Sequence, residues 1–200
     1  MKKNLFLQGD IGVGKSSLIR KNLLSHFPKV GGIYVQRIYI GNSYVAFKLN
    51  PLENAEDYQL NLYVTSIDKM DDLFLYSDQQ GKWYKNLEVF NTKAITYLKK
   101  SMTKKIILLD ELGELELNCT AYLKAVLDVL EGDIPAIGVI KSSKNAKKVR
   151  AALPEKHKDS NETPLNYIKS HPQVELLNVT KHNLEIINNR VKSFVEEAVL

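Results

Sequence analysis

Gly9-Asp10-Ile11-Gly12-Val13-Gly14-Lys15-Ser16 spells G-x-x-x-x-G-K-S at the end of an apolar run. Upstream, Asn4-Leu5-Phe6-Leu7-Gln8 reads as a buried strand. Downstream, Ser17-Leu18-Ile19-Arg20-Lys21-Asn22-Leu23-Leu24 reads as a helix. Strand, glycine-rich turn and helix is the context that separates a working phosphate-binding loop from a chance match. The glycines let backbone N–H groups curl around phosphate oxygens without Cβ clashes. The helix N-terminus adds unpaired donors and the positive end of its dipole. On this reading Gly9, Asp10, Ile11, Gly12, Val13, Gly14, Lys15, Ser16 and Ser17 form a nucleotide cradle. Lys15 then reaches the β- and γ-phosphates, and the Ser16 hydroxyl ligates Mg²⁺.

A second motif narrows the chemistry. Ile106-Ile107-Leu108-Leu109 is a continuous apolar strand that runs into two acids, Asp110 and Glu111. The first acid belongs beside Ser16, holding Mg²⁺ through its water shell. The second has the place of a general base that orients and deprotonates an attacking water. Many small-molecule kinases have no acid there, because their nucleophile is the substrate. Asp110 is therefore a candidate metal residue with Ser16, and Glu111 a candidate catalytic residue with Lys15.

Around these motifs strand-like and helix-like segments alternate, and residues 1–200 read as one domain with no repeat or linker. Ile33–Ile40 and Tyr44–Leu49 read as strands joined by Gly41-Asn42-Ser43 into a hairpin. Short strands are expected at Leu62–Thr65 and Leu73–Tyr76. A helix is expected from Leu87 to Lys100 and another around Ala121–Leu130, stopped by Gly132. Ile134–Ile140 and Val174–Val179 read as buried strands, and Thr180 as the cap of a closing helix through Ala198. Lys144–Leu153 reads as helical and Glu155–Thr163 as a loop or lid. Continuous apolar strands belong to a sheet covered on both faces. The expected fold is thus α/β, a mostly parallel central sheet flanked by helices, with antiparallel strands from the hairpin region added at one edge. The nucleotide belongs at the strand C-terminal ends, where Gly9 and Asp110 both fall.

Composition agrees with a globular enzyme. Hydrophobic residues make up 44% and charged residues 26% of 200, and no apolar stretch approaches membrane-spanning length. The first strand starts directly after Met1-Lys2-Lys3, which argues against a secretory signal. The lone Cys119 suits a reducing compartment, so a cytoplasmic protein without a membrane partner is expected. Much of the net charge of +5 lies between Lys141 and Lys158. Such a stripe suits a polyphosphate or a nucleic-acid backbone, but is more often a solvated helix face. No interleaved aromatics accompany it, so nucleic acid is admitted as a partner without being argued for. Oligomeric state and base preference stay open.

The residues beyond the acids carry a family resemblance. Asp110-Glu111-Leu112-Gly113-Glu114-Leu115-Glu116-Leu117 resembles the D-E-[IL]-G-x-[ML]-E-L signature of the P-loop nucleoside-triphosphatases, known as cancer-related NTPases in animals and present in thermophilic bacteria and archaea. Gly31-Gly32-Ile33-Tyr34-Val35, Ala46-Phe47-Lys48-Leu49 and Thr180-Lys181-His182-Asn183 resemble further landmarks in order and spacing. The resemblance implies a RecA/AAA-like fold and slow, unselective hydrolysis of nucleoside triphosphates to diphosphate and phosphate. Two departures stand out. Leu184 follows Asn183 where the family commonly has arginine, and Val35 and Arg37 stand where it often has threonine and an acid.

A hydrolase gains from a cation on the transferring phosphoryl group, and Arg37, Lys141 and Arg150 are the candidates within the chain. Trp83 and Tyr84 are candidates for stacking on a base, or else packing residues beside a helix start. For Glu114 and Glu116, just beyond the strand, a part in the site and a solvated turn acid are equally open. Besides hydrolysis, two readings remain open. One is a nucleotide or nucleoside kinase, against which the absence of arginine in Glu155–Thr163 speaks. The other is a nucleotide-dependent switch or adaptor that binds RNA or protein.

Overall fold

Period-two alternation along the apolar strands sets the layering. Leu5 and Leu7 of β1 (Asn4–Gly9) and Ile106 and Leu108 of β7 (Ile106–Leu112) face one side of the sheet; Phe6, Ile107 and Leu109 face the other. The computed structural model describes residues 2–54, 56–141 and 163–200, with the side chain of Glu111 excepted. On the first side pack α1 (Lys15–Leu23), through Leu18, Ile19 and Leu23, and α6 (Leu184–Val199), through Ile187, Val191, Phe194 and Val195. On the second side pack α2 (Ile95–Ser101), α4 (Thr120–Glu131) and α5 (Pro164–Ser170). Each apolar strand is covered on both faces, which is why its sequence is continuous rather than alternating.

The remaining strands are β2 (Val30–Ile40), β3 (Ser43–Pro51), β4 (Asn61–Tyr63), β5 (Leu73–Ser77), β6 (Trp83–Lys85), β8 (Ala136–Ile140) and β9 (Val174–Val179). The sheet order is β6-β5-β3-β2-β7-β8-β1-β9, with β4 beside the outer half of β2. Pairs β1–β8, β1–β9, β2–β4, β2–β7 and β7–β8 are parallel; β2–β3, β3–β5 and β5–β6 are antiparallel. The expected parallel core with an antiparallel extension at one edge is therefore what the chain forms. Two consequences position the site. The phosphate loop leaves β1, Asp110 lies in β7, and β8 runs between those two strands. Beyond β7, the antiparallel extension prolongs the sheet away from the loop.

Strand spacing between β7 and β8 depends on Gly138. A Cβ there would come within 2.0 Å of the Leu109 carbonyl oxygen and 2.8 Å of Phe6 Cε1. Gly138→Ala is expected to destabilise the protein by at least about 3 kcal/mol, read from urea unfolding. A stability equal to that of the parent would contradict this close approach.

Several local expectations change. The hairpin turn is the two residues Gly41-Asn42, since Ser43 already pairs with Ile40; Gly41 supplies the positive φ of +57° that such a turn asks for. The helix expected from Leu87 begins with a π-helical turn, Phe90–Ala94. The stretch after the two acids is helical, α3 (Glu114–Leu117). A helix not foreseen, α5, starts where the Thr163 side chain accepts a hydrogen bond from Asn166 N at 3.2 Å and Pro164 fills the first turn. Thr180 is not the cap of α6. Asn183 holds that position, its side chain accepting from Thr180 N at 2.8 Å and donating to the Asn178 carbonyl at 2.9 Å. Trp83 and Tyr84 lie in strand β6 rather than at a helix start. The expected helix Lys144–Leu153, the lid from Glu155 onward (Thr163 apart) and the basic stripe beyond Lys141 lie outside the described residues.

Candidate active site

The turn from β1 into α1 has the backbone its glycines predict. Gly12 and Gly14 have φ of +77° and +101°, and a Cβ on either would meet nothing within 4 Å. Conformation, not crowding, requires glycine at both. At the strand end crowding adds to conformation, because Gly9 has a φ of +148° and a Cβ on it would come within 2.3 Å of the Val179 oxygen. Lys15 folds back across the loop, its ammonium donating to the Gly9 carbonyl at 3.0 Å and the Asp10 carbonyl at 2.7 Å. Those carbonyls tether the ammonium to the loop, and Lys15 lines the cavity described below.

Ser16, in the first turn of α1, donates its hydroxyl proton to Asp110 Oδ1 at 3.0 Å across 94 residues of chain. Asp110 is 3% exposed, so it is no solvated acid at a strand end. Such a hydroxyl and carboxylate, side by side, fit Mg²⁺, a hard cation that prefers oxygen donors and takes few of them from protein. Among the described residues no group of three His, Cys, Asp or Glu side chains forms an all-protein cage. Glu111 follows Asp110 in β7. Of the other loop residues, Gly9, Ile11, Gly12, Gly14 and Ser17 line the cavity described next; Asp10 and Val13 do not. Asp10 works through its carbonyl, which also accepts from Val13 N at 3.4 Å, and Val13 packs on the core beneath.

The cavity has a volume of about 550 Å³, within the range of small-molecule sites. One wall is the phosphate loop with Lys15, Ser16 and Asp110. The floor continues onto the antiparallel extension, where Val35, Arg37 and Tyr39 alternate along one face of β2 beside Tyr44, Phe47 and Phe74. Arg37 and Lys141 both line it, as two of the three candidate cations; Arg150 lies outside the described residues. Trp83 packs against Tyr44 and Phe47 from outside the cavity. Tyr84 stacks on Tyr76 and donates its hydroxyl to Asp78 Oδ2 at 2.9 Å. Both are packing residues in this arrangement.

Under α1, Arg20 lies over the Tyr58 ring, which packs against Tyr34 at 4.8 Å between centroids. Burial raises the Tyr58 hydroxyl well above its usual range, with the charge of Asp110 acting the same way. Burial likewise pushes Tyr34 up to about 12. Both phenols stay neutral beneath the site.

Sequence reasoning missed two features. The aromatic floor was legible only as β-propensity, although alternation of Val35, Arg37 and Tyr39 was a usable signal. Glu116, read as an even choice for a solvated acid, is buried at 2% exposure and paired with Lys141 at 2.5 Å.

A glycine-built phosphate loop, a buried acid bonded to its serine and a mostly parallel sheet with helices on both faces define a P-loop NTPase fold of RecA/AAA-like type. The NTPase family profile matches residues 4–192, and the chain belongs to that family. Relatives include the nucleoside-triphosphatase THEP1 of Thermofilum pendens, 26% identical over 142 residues, covering 69% of this chain and 73% of that protein. The THEP1 of Methanosarcina barkeri is 29% identical over 136 residues, covering 66% and 72%. Among solved structures, a human cancer-related nucleoside triphosphatase superposes with a TM-score of 0.65 at 20% identity over 98% of each chain. THEP1 from Aquifex aeolicus gives 0.64 at 17% identity over 96% of this chain and 99% of its own. The two structures share the fold, and the resemblance read from the sequence is to the same family. No helix among the described residues is long and apolar enough to cross a membrane.

Proposed function

We propose that this protein hydrolyses nucleoside 5′-triphosphates, ATP and GTP among them, to diphosphate and phosphate with Mg²⁺ as cofactor. The observation that carries this reading is the 3.0 Å bond between Ser16 and buried Asp110 in the cavity that also holds Lys15. The amides of Gly12 and Gly14 and the Lys15 ammonium bind the phosphate tail and offset the charge that grows on it. Ser16 and Asp110 would hold Mg²⁺, which would supply positive charge against the phosphate tail. Glu111 orients a water in line with the γ-phosphorus and takes its proton. As the new P–O bond forms, the bond from the γ-phosphorus to the β–γ bridging oxygen breaks, and the diphosphate leaves with that oxygen. The relatives named nucleoside-triphosphatase support the same reaction. A cytoplasmic location accords with the lone Cys119, which forms no disulfide.

One observation favours a second reading. The cavity runs past the phosphate loop onto the apolar floor of Tyr39, Tyr44, Phe47 and Phe74, room that a kinase would give to an acceptor. A single assay separates the two. With Mg²⁺ and each triphosphate in turn, phosphate release is expected without any acceptor, and EDTA is expected to remove it. Release that requires an added nucleoside or nucleotide, with label appearing on that compound, would establish the kinase instead.

A further inference from the structure

We propose that Lys141 is a catalytic residue that binds the γ-phosphate, and that buried Glu116 is the positioning residue that holds it there. The inference deepens the proposed triphosphatase reading and rests on its nucleotide site.

Chain topology brings Lys141 to this place. β8 lies between β1 and β7, so the residue that leaves its C-terminal end emerges between the phosphate loop and Asp110. Lys141 is that residue. Its backbone N–H donates to the Leu112 carbonyl at 2.8 Å, which ties the exit of β8 to the end of β7. Its side chain lines the same cavity as Gly12, Lys15, Ser16 and Asp110.

Glu116 sets where the ammonium points. Lys141 Nζ donates to Glu116 Oε1 at 2.5 Å. The two partners are buried unequally, the Glu116 side chain at 3% exposure and that of Lys141 at 32%. The acid is the more deeply buried partner, and the cation is the one that lines the cavity. Gly113 makes room for it, since a Cβ there would come within 2.6 Å of both Glu116 Oε2 and Lys141 Cδ. Glu116 Oε2 is buried without a hydrogen-bond partner among the described residues.

Stability alone does not account for this arrangement. A buried ion pair carries a large desolvation cost, and a well-packed apolar pair often does as well or better. What charge adds is an aimed cation where negative charge develops during phosphoryl transfer. An ammonium carries three donors, so it can keep Glu116 and reach a phosphate oxygen together. The pair would serve in cis the purpose that an arginine supplied by a partner serves elsewhere.

The test compares Lys141→Met, Lys141→Arg, Glu116→Gln and the double variant with the parent. Three quantities are read: turnover, the ratio of affinities for a β,γ-imido triphosphate and a diphosphate, and the melting temperature. Lys141→Met is expected to lower kcat by about 10²–10³ and to lose most of the preference for triphosphate, with diphosphate affinity held within about twofold. Lys141→Arg should recover part of both, because charge is kept while shape differs. Glu116→Gln should lower kcat less than Lys141→Met. The double variant should regain melting temperature, since no buried carboxylate is left unpaired, without regaining the preference.

A parental affinity ratio in Lys141→Met, or in the double variant should the single one not fold, would overturn the proposal and leave the pair a structural brace. So would recovery of turnover in the double variant. The affinity ratio needs no hydrolysis. A parent protein that binds triphosphate but never turns it over, with the ratio still collapsing in Lys141→Met, would therefore sink the triphosphatase reading and uphold Lys141.

Discussion

Lys15→Ala is expected to lower phosphate release by at least about 10³, measured as initial rates at saturating triphosphate and Mg²⁺. The variant loses the only ammonium on the phosphate loop itself. Its folded structure should be little disturbed, because the hydrogen bonds of Lys15 run to the Gly9 and Asp10 carbonyls. A stability change of no more than about 1 kcal/mol is expected for a half-buried side chain whose hydrogen bonds to Gly9 and Asp10 stay within its own loop. The two readouts together matter, since a variant that lost both turnover and melting temperature would say nothing about phosphate. Retained turnover in a well-folded Lys15→Ala protein would remove the loop from the mechanism.

Glu111→Gln is expected to reduce turnover by about 10²–10⁴ while triphosphate binding persists. The amide keeps the size of the carboxylate but cannot take a proton from water. Binding should survive because it is assigned to other groups: the loop amides, Lys15, Ser16 and Asp110. The variant would then hold triphosphate without consuming it, and titration with unmodified ATP should report a stable complex. Undiminished phosphate release would move the general base elsewhere. Combined with the Lys141 series, the comparison separates a residue that activates water from one that stabilises the transferring group. The first changes kcat alone; the second changes the preference for triphosphate over diphosphate as well.

Legibility followed the range of the interactions involved. The phosphate loop was readable because its chemistry is local: three glycines, a lysine and a serine within eight residues, between a strand and a helix. The acids were readable because a continuous apolar strand announces them. The hairpin, the parallel core and the closing helix followed from periodicity, with boundaries displaced by one to three residues where pairing rather than composition sets them. Ser43 was assigned to the turn, but its pairing with Ile40 brings it into β3. Thr180 had the right chemistry for a cap, yet the turn closes through Asn183, whose amide reaches both Thr180 and Asn178. The helix α5 was missed because its seven residues carry only two buried apolar side chains, Leu165 and Ile168.

Glu116 shows where local reading ends. Its sequence neighbours Glu114 and Leu115 make a solvated turn and a short helix equally plausible, and only its pairing with Lys141, at the exit of β8, decides. From the sequence alone came the family, the glycine loop and the two acids to which ligand and metal are assigned under the proposed function, and the mostly parallel sheet, since each is written in residue types a few positions apart. Only the tertiary structure decided that the Ser16 hydroxyl bonds Asp110 Oδ1 directly, that an aromatic floor extends the cavity, and that Glu116 is buried and paired with Lys141. The reason is physical. Burial and ion pairing belong to the assembled layers, where strand order chooses which distant side chains leave water together.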